Sequence, residues 1–254
     1  MDKFIKRLVI DAGSLLMRNF LRPRVVSNKT YRDIVTNVDL LVERMIIKRI
    51  KSAYPSHSIL SEETGLIKGQ SSEYLWVIDP LDGTVNFTAG IPLFSVSIGL
   101  IYKGRPVKGV VYAPYLKELF GAEKGKGAYL NSKKIKPSSN DKLANAIVHV
   151  ALSAHYSKKL IEKNWLIVKK LPGRVRGVRM LDSGALTSCY VACGRIDGKF
   201  SIKTDPFGNA ASTLIIEEAG GVVTDFKGRK WNVNMKDMIC SNKLLYRKFC
   251  SFIK

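Results

Sequence analysis

The sequence predicts a mixed α/β fold of the α+β kind, in a single domain over residues 1–254, on three observations. Apolar residues recur at helical spacing in two early segments. The middle of the chain changes to apolar runs separated by Gly and Pro, the pattern of strands and turns. The last third alternates helical and extended patterns, which signals helices layered on a sheet.

Taken in order, residues 2–21 set Phe4, Ile5, Leu8, Val9, Ala12, Leu15, Leu16 and Phe20 on one helical face, and Pro23 stops the helix. Residues 38–53 repeat the pattern with Leu40, Leu41, Met45, Ile46 and Ile50, ending before Pro55. Ile59-Leu60 reads as a short strand running into Ser61-Glu62-Glu63-Thr64-Gly65, and Leu75-Trp76-Val77-Ile78 as a buried strand. Phe94–Tyr102 and Val107–Ala113 flank the turn Lys103-Gly104-Arg105-Pro106 and form a hairpin, followed by shorter strands at Glu118–Ala122 and Gly127–Leu130. Asn131–Asp141, rich in Lys, Ser and Pro, connects two approximate halves, 1–136 and 137–254. Beyond it come a strand at Ala146–Ala151, a helix at Ser157–Lys170, a helix at Ser183–Cys193 closed by Gly194, a helical pattern at Ser212–Ala219 ended by Gly220-Gly221, and the strand Val222-Val223.

Composition removes several classes of function. No apolar run reaches the roughly 20 residues of a membrane span, and the amphipathic N-terminal pattern lacks a signal-peptide core, so a cytoplasmic protein without a membrane partner is expected. Cys189, Cys193, Cys240 and Cys250 show no C-x-x-C spacing, and His57, His149 and His155 are scattered, which argues against zinc and histidine-based metal sites. The net charge of +21 admits nucleic-acid binding, steering of a phosphorylated substrate, or general surface composition. The basic clusters at Lys124–Lys136 and Arg174–Arg179 are short and carry no nucleic-acid-binding pattern, so nucleic acid is the less favoured partner.

Chemistry concentrates at Asp79-Pro80-Leu81-Asp82-Gly83-Thr84-Val85-Asn86-Phe87. A strand delivers two carboxylates onto a Pro/Gly turn, followed by the Gly83 and Thr84 amides, which can face an anion. The plain alternative is an ordinary D-P-x-D-G turn. Asp39, Glu62 and Glu63 also lie at element ends. Two carboxylates about 4 Å apart repel by roughly 4 kcal/mol at an effective dielectric near 20, so convergence calls for a hard divalent cation such as Mg²⁺.

With these residues in place, the sequence resembles the inositol monophosphatase superfamily, which includes archaeal fructose-1,6-bisphosphatases and related Mg²⁺-dependent, lithium-sensitive phosphatases. The resemblance runs through Asp11-Ala12-Gly13, Asp33-Ile34-Val35-Thr36-Asn37-Val38-Asp39, Ser61-Glu62-Glu63-Thr64 and the segment from Asp79 to Phe87. It continues through Tyr112-Ala113-Pro114 and Gly125–Asn131 to Glu218-Ala219-Gly220-Gly221. It implies a layered αβαβα sandwich, usually a homodimer, binding two or three Mg²⁺ ions and hydrolysing a small phosphorylated substrate. It implies further that Glu62 and Asp79 bind a first metal with the Leu81 carbonyl, and that Asp79 and Asp82 share a second. Thr84 and Asp39 would orient and deprotonate the attacking water, Glu63 would order water at the metal, and the Gly83 and Thr84 amides would hold phosphate. Asp39 as a helix N-terminal acid, Thr84 as a turn hydroxyl and Glu63 as a solvated neighbour remain the plain alternatives.

The pattern breaks in two places. Members of the family carry a Trp-Asp pair before Ala-Ala-Gly, and here Phe207-Gly208 takes its place, so the acid of the second metal site is a glycine. Asp205, before Pro206, is either a substitute ligand or a helix N-cap. Inositol-specific members also place a Glu ahead of that pair, whereas Lys199-Phe200-Ser201-Ile202-Lys203 has no acid. Lys203 and Arg179 would meet a second phosphate there, or are surface cations. The expectation is a phosphomonoesterase for fructose-1,6-bisphosphate, inositol monophosphate or a nucleotide phosphate such as 3'-phosphoadenosine 5'-phosphate or NADP. Its rival is a weakly active or inactive phosphatase fold that binds RNA or protein.

Overall fold

The computed structural model describes residues 3–22, 25–30, 33–152 and 156–253. Residue 2 of the first expected helix, Pro23 as its stop, and His155 lie outside the described residues. The chain order is α1 (Lys3–Asn19), β1 (Val25–Thr30), β2 (Asp33–Thr36), α2 (Asn37–Ala53), β3 (His57–Ser61), β4 (Gly65–Ile67), β5 (Ser71–Asp82) and α3 (Thr84–Thr88). Then follow β6 (Ser95–Tyr102), β7 (Arg105–Ala113), β8 (Glu118–Glu123), β9 (Ala128–Leu130), β10 (Lys133–Lys134) and a 3₁₀ turn at Leu143–Asn145. The rest is β11 (Ile147–Ala151), α4 (Lys158–Val168), β12 (Gly177–Arg179), α5 (Gly184–Ala192), β13 (Gly198–Ser201), α6 (Pro206–Ala219), β14 (Val222–Thr224), β15 (Met238–Ser241) and α7 (Tyr246–Cys250).

Two sheets organise these elements. One has eight strands in the order β10-β9-β8-β7-β6-β5-β3-β4, and the other five in the order β12-β11-β13-β15-β14. The large sheet is antiparallel except for the β3–β5 pair. In the small sheet β11 runs parallel to both β12 and β13. Helices α1 and α2 bury Ile5, Leu8, Val9, Leu16, Val42, Ile46 and Ile50 against Trp76, Ile78, Val96 and Ile98 on one face of the large sheet. Helices α5 and α6 fill the space between the sheets, with Leu186, Cys189, Leu214 and Ile215 packed against Val111, Phe120 and Cys240. Phe200, Phe249 and Phe252 form the core under α4 and α7 on the far side. The layers are α, β, α, β, α.

Close approach explains why α6 can seat itself on the large sheet. A Cβ at Gly99 or Gly109 would fall within 3 Å of Ala210 or Ala211, so bare backbone on β6 and β7 faces the small residues of α6. Helix α6 starts at Pro206, six residues before the apolar pattern that begins at Ser212, because Asp205 caps it and Pro206 occupies its first position. Strand β5 runs through Asp79 and Pro80 to Asp82, where a strand ending at Ile78 is expected. Asp79 still pairs with Ser97 and Asp82 with Ser95, so three steps on β5 oppose two on β6 as a bulge. Several short elements, including β1, β2, β13, β15 and α3, add to what the patterns predict. Among the described residues no helix is long and apolar enough to cross a membrane, and all four cysteines are free thiols.

Candidate active site

The capping chemistry of α2 fixes the first acid. Thr36 is the N-cap and Asp39 the third helical residue, and each bonds the other's backbone amide in a capping box. Asp39 Oδ2 accepts the Thr36 amide at 3.0 Å and the Thr36 hydroxyl as well. Its other oxygen, Oδ1, lies 3.2 Å from the Thr84 hydroxyl, which also reaches the Leu81 carbonyl at 3.0 Å. Burial raises the Asp39 carboxyl above its ordinary range, opposed by the hydrogen bonds from Thr36 and Thr84. Thr84 is positioned by Gly83, which turns the chain at φ 90 and caps α3. That left-handed backbone suits glycine, and a Cβ there would crowd the Leu93 carbonyl.

Glu62 and Glu63 sit in the turn between β3 and β4. The turn is held from below by Glu43, a buried residue of α2 not singled out from sequence. Glu43 Oε1 accepts the Ser61 hydroxyl, the Glu63 amide at 2.9 Å and the Thr64 amide at 3.1 Å, while Oε2 accepts the Thr64 hydroxyl at 2.6 Å. Its position on a charged helix, in Val42-Glu43-Arg44, gives it the look of a solvated acid.

Asp79 is the electrostatic centre. It is 5 % exposed, and its Oδ1 accepts the Leu81 amide at 3.1 Å. Burial lifts its carboxyl well above the usual range, and the charges of Glu62, Asp82, Asp205 and Asp39 add to the rise. The structure therefore brings all of these acids within mutual electrostatic reach of Asp79. A buried carboxylate whose charged neighbours are acidic suits a cation, and Glu62, Asp79 and the Leu81 carbonyl are an all-oxygen donor set for a hard ion. Beyond that pair of acids the fit ends: among the described residues, no three His, Cys, Asp or Glu side chains close around one metal position.

Asp82 is turned elsewhere. Its Oδ1 accepts the Gly184 amide at 2.7 Å. Its Oδ2 accepts the Ala185 amide at 3.0 Å, the Leu186 amide at 3.4 Å, the Ser95 hydroxyl at 3.0 Å and the Ser183 hydroxyl. Asp205 Oδ1 accepts the Phe207 and Gly208 amides at 2.9 and 3.4 Å as the cap of α6. Desolvation raises its carboxyl, opposed by the Gly208 and Phe207 amides, with the Asp82 charge adding to the rise. Gly208 is buried on the first turn of α6, and a Cβ there would stand 3.5 Å from both Asp79 Oδ2 and the Ala185 amide nitrogen. Arg179 is exposed on β12 and folds back to the Val178 carbonyl at 3.0 Å. Lys203 is exposed, with its ammonium 6.0 Å over the Tyr156 ring.

Two further groups escaped the sequence patterns. Lys199 on β13 is 1 % exposed and donates to the Gly184 carbonyl at 2.6 Å and the Ser188 hydroxyl at 2.9 Å. Asp182, in the loop before α5 with φ 51, has its carboxyl pushed up to about 6 by desolvation and the Asp82 charge. Both lie in segments that alternation marks as ordinary strand or loop.

Fold and site together define an α/β phosphatase-like site in which the Thr84–Asp39 pair lies beside the buried Asp79 carboxylate and its acidic neighbours. The chain belongs to the inositol monophosphatase family, whose model matches residues 1–253. It is 38 % identical over 244 residues to a fructose-1,6-bisphosphatase/inositol-1-monophosphatase of Thermotoga maritima, covering 96 % of this chain and 91 % of that one. It is 42 % identical over 225 residues to the Nus factor SuhB of Escherichia coli strain K12, covering 87 % and 84 %. The crystal structure of the extragenic suppressor protein suhB from Bartonella henselae superposes with a TM-score of 0.93 at 32 % identity, covering 99 % of this chain and 97 % of that one.

Proposed function

We propose that this chain is a Mg²⁺-dependent phosphomonoesterase acting on a small sugar or polyol phosphate, with fructose-1,6-bisphosphate favoured over strict inositol monophosphate. The observation that carries the reading is the contact between the Thr84 hydroxyl and Asp39 at 3.2 Å, on the rim of the Asp79 cluster. Asp39 holds the acceptor and Thr84 the hydroxyl that a water nucleophile needs for orientation and proton removal. Glu62, Asp79 and the Leu81 carbonyl would hold the ion, which supplies positive charge for the leaving oxygen and a more acidic water. The Gly83 and Thr84 amides, at the start of α3, would hold the phosphate. Ser201, in place of a hydroxyl-accepting acid, removes a contact that an inositol ring would use.

Gly208 and the relatives named Nus factor SuhB favour a second reading, a binding module for RNA or protein on the same fold. Phosphate release from a panel of sugar, polyol and nucleotide phosphates with Mg²⁺ separates the two. Turnover is expected, with Thr84→Ala lowering kcat by about 10²-fold. Absence of turnover across the panel, together with salt-sensitive RNA binding, would overturn the phosphatase reading.

A further inference from the structure

The loop between β12 and α5 carries a carboxylate that the water-activating residues leave unused. Its backbone is pinned on three sides. The Leu181 carbonyl accepts the side-chain amide of Asn86 on α3 at 2.8 Å, and the Leu181 amide donates to His149 Nε2 at 3.2 Å. The Ser183 hydroxyl donates to Asp82. Between these anchors the loop lies directly against the turn that opens α3. A Cβ on Gly83 would stand 3.2 Å from the Asp182 carbonyl oxygen and 3.3 Å from the Ser183 Cβ. Asp182 is therefore held beside the Gly83 and Thr84 amides.

Its side chain has no structural task that accounts for it. Asp182 adopts φ 51, the left-handed region, which aspartate tolerates because its short side chain can bond the nearby backbone. Among the described residues, no hydrogen bond or ion pair engages this carboxylate. The residue is exposed, yet its carboxyl is desolvated by surrounding protein and feels the Asp82 charge. Openness and desolvation together place it on the wall of a concavity. On the other side stands Tyr156, a buried ring whose hydroxyl donates to the Lys203 carbonyl at 3.3 Å and which feels the charges of Asp205 and Asp182. A carboxylate only accepts, so the partner that fits this open position is a donor, such as an alcohol hydroxyl.

We propose that Asp182 is a substrate-binding residue that accepts hydrogen bonds from hydroxyls on the alcohol part of the phosphate ester, so that the site selects sugar and polyol phosphates over aryl phosphates. From the loop before α5 it supplies the acceptor that Ser201 on β13 lacks. This role rests on the phosphatase reading above, which puts the phosphate at Gly83 and Thr84.

The test compares hydroxyl-bearing esters, fructose-1,6-bisphosphate and inositol 1-phosphate, with 4-nitrophenyl phosphate, which offers no hydroxyl. Kinetics are measured in Mg²⁺ for the native chain, Asp182→Gly and Asp182→Asn. Glycine suits φ 51, so the loop keeps its path in the first variant. The KM of a hydroxyl-bearing ester relative to that of 4-nitrophenyl phosphate should rise about ten-fold in Asp182→Gly, with kcat changing less than KM. Asp182→Asn, which keeps one carbonyl acceptor, should show a smaller rise. A loop that only supports the scaffold would shift both kinds of ester alike, so an unchanged KM ratio in Asp182→Gly overturns the proposal while turnover upholds the phosphatase reading. No turnover of any ester, 4-nitrophenyl phosphate included, removes the phosphatase reading. The unconsumed esters can then be titrated by calorimetry: the same shift in relative Kd upholds the Asp182 contact, and an unchanged ratio or no binding overturns it.

Discussion

Removing Asp82 from the metal-free protein produces two effects of opposite sign, and their balance tells whether the residue belongs to the fold or only to an ion. If it served only to hold a cation, Asp82→Ala in excess EDTA would relieve repulsion with Asp79. The two acids lie three residues apart across a bulge whose partner strand advances two residues, roughly 7 Å at about 3.4 Å per residue. At an effective dielectric near 20 that repulsion is about 2 kcal/mol. Against it stand the Gly184 and Ala185 amides at 2.7 and 3.0 Å. Hydrogen bonds to a charged acceptor contribute about 1.5–3 kcal/mol each. The Ser95 and Ser183 hydroxyls, both buried, lose their acceptor as well, on the same side of the balance as the amides. A net destabilisation of about 2–3 kcal/mol follows, which in a protein of this size lowers Tm by about 5–10 °C. Circular dichroism melts at pH 7 in EDTA measure it, and Asp82→Asn, which keeps one carbonyl acceptor, should lose about half as much. A Tm equal to or above that of the native chain would refute the reasoning.

Two other outcomes are expected. His149 is buried, accepts the Leu181 amide at 3.2 Å through Nε2, and has its ring lowered by burial and Lys199 to about 3. A depressed folded value contributes stability that is present above the unfolded value near 6.5 and is lost as pH falls toward 3. His149→Gln, whose carbonyl can accept the same amide, should flatten the acid limb of Tm against pH between those limits, by up to about 3–5 kcal/mol; an unchanged limb would show that His149 does not govern it. Gly198→Ala places a methyl closer than 3 Å to the Cε2 and Cδ2 carbons of Phe249, whose ring packs edge-on to Phe200. Overpacking of this kind costs about 1–3 kcal/mol, so a melt matching the native chain would mean the Phe249 ring has room to shift.

The long helices and the hairpin were legible because their apolar periods persist over many residues, as with Leu8, Val9 and Leu16 on α1. The positions of Asp39 and Thr84 on the first turns of α2 and α3 agree with their places beside apolar segments, whereas Asp79, expected after a strand ending at Ile78, lies inside β5. Short elements escaped: α3 has five residues and β13 four, too few for a period to declare itself. Asp79 and Asp82 read as a turn because Pro80 and Gly83 are turn residues, whereas a bulge carries β5 through Asp79 and Pro80 to end at Asp82. Lys199 was invisible for a different reason. A lysine between Gly198 and Phe200 is expected to point to water, and only the packing of α5 against β13 encloses it. Glu43 shares that history, its burial depending on a turn twenty residues away in sequence.

Helix α2 also acts as a spacer between separate pieces of the pocket. Asp39 on its first turn reaches the Thr84 loop, and Glu43, one turn further along, carries the bend that bears Glu62 and Glu63. Because successive residues advance about 100° around a helix with 3.6 residues per turn, a single insertion between positions 39 and 43 would swing one of these carboxylates away from its loop while leaving the other in place. The four-residue interval on one rigid rod thus acts as a gauge, setting how far apart the two loops stand before any ligand arrives.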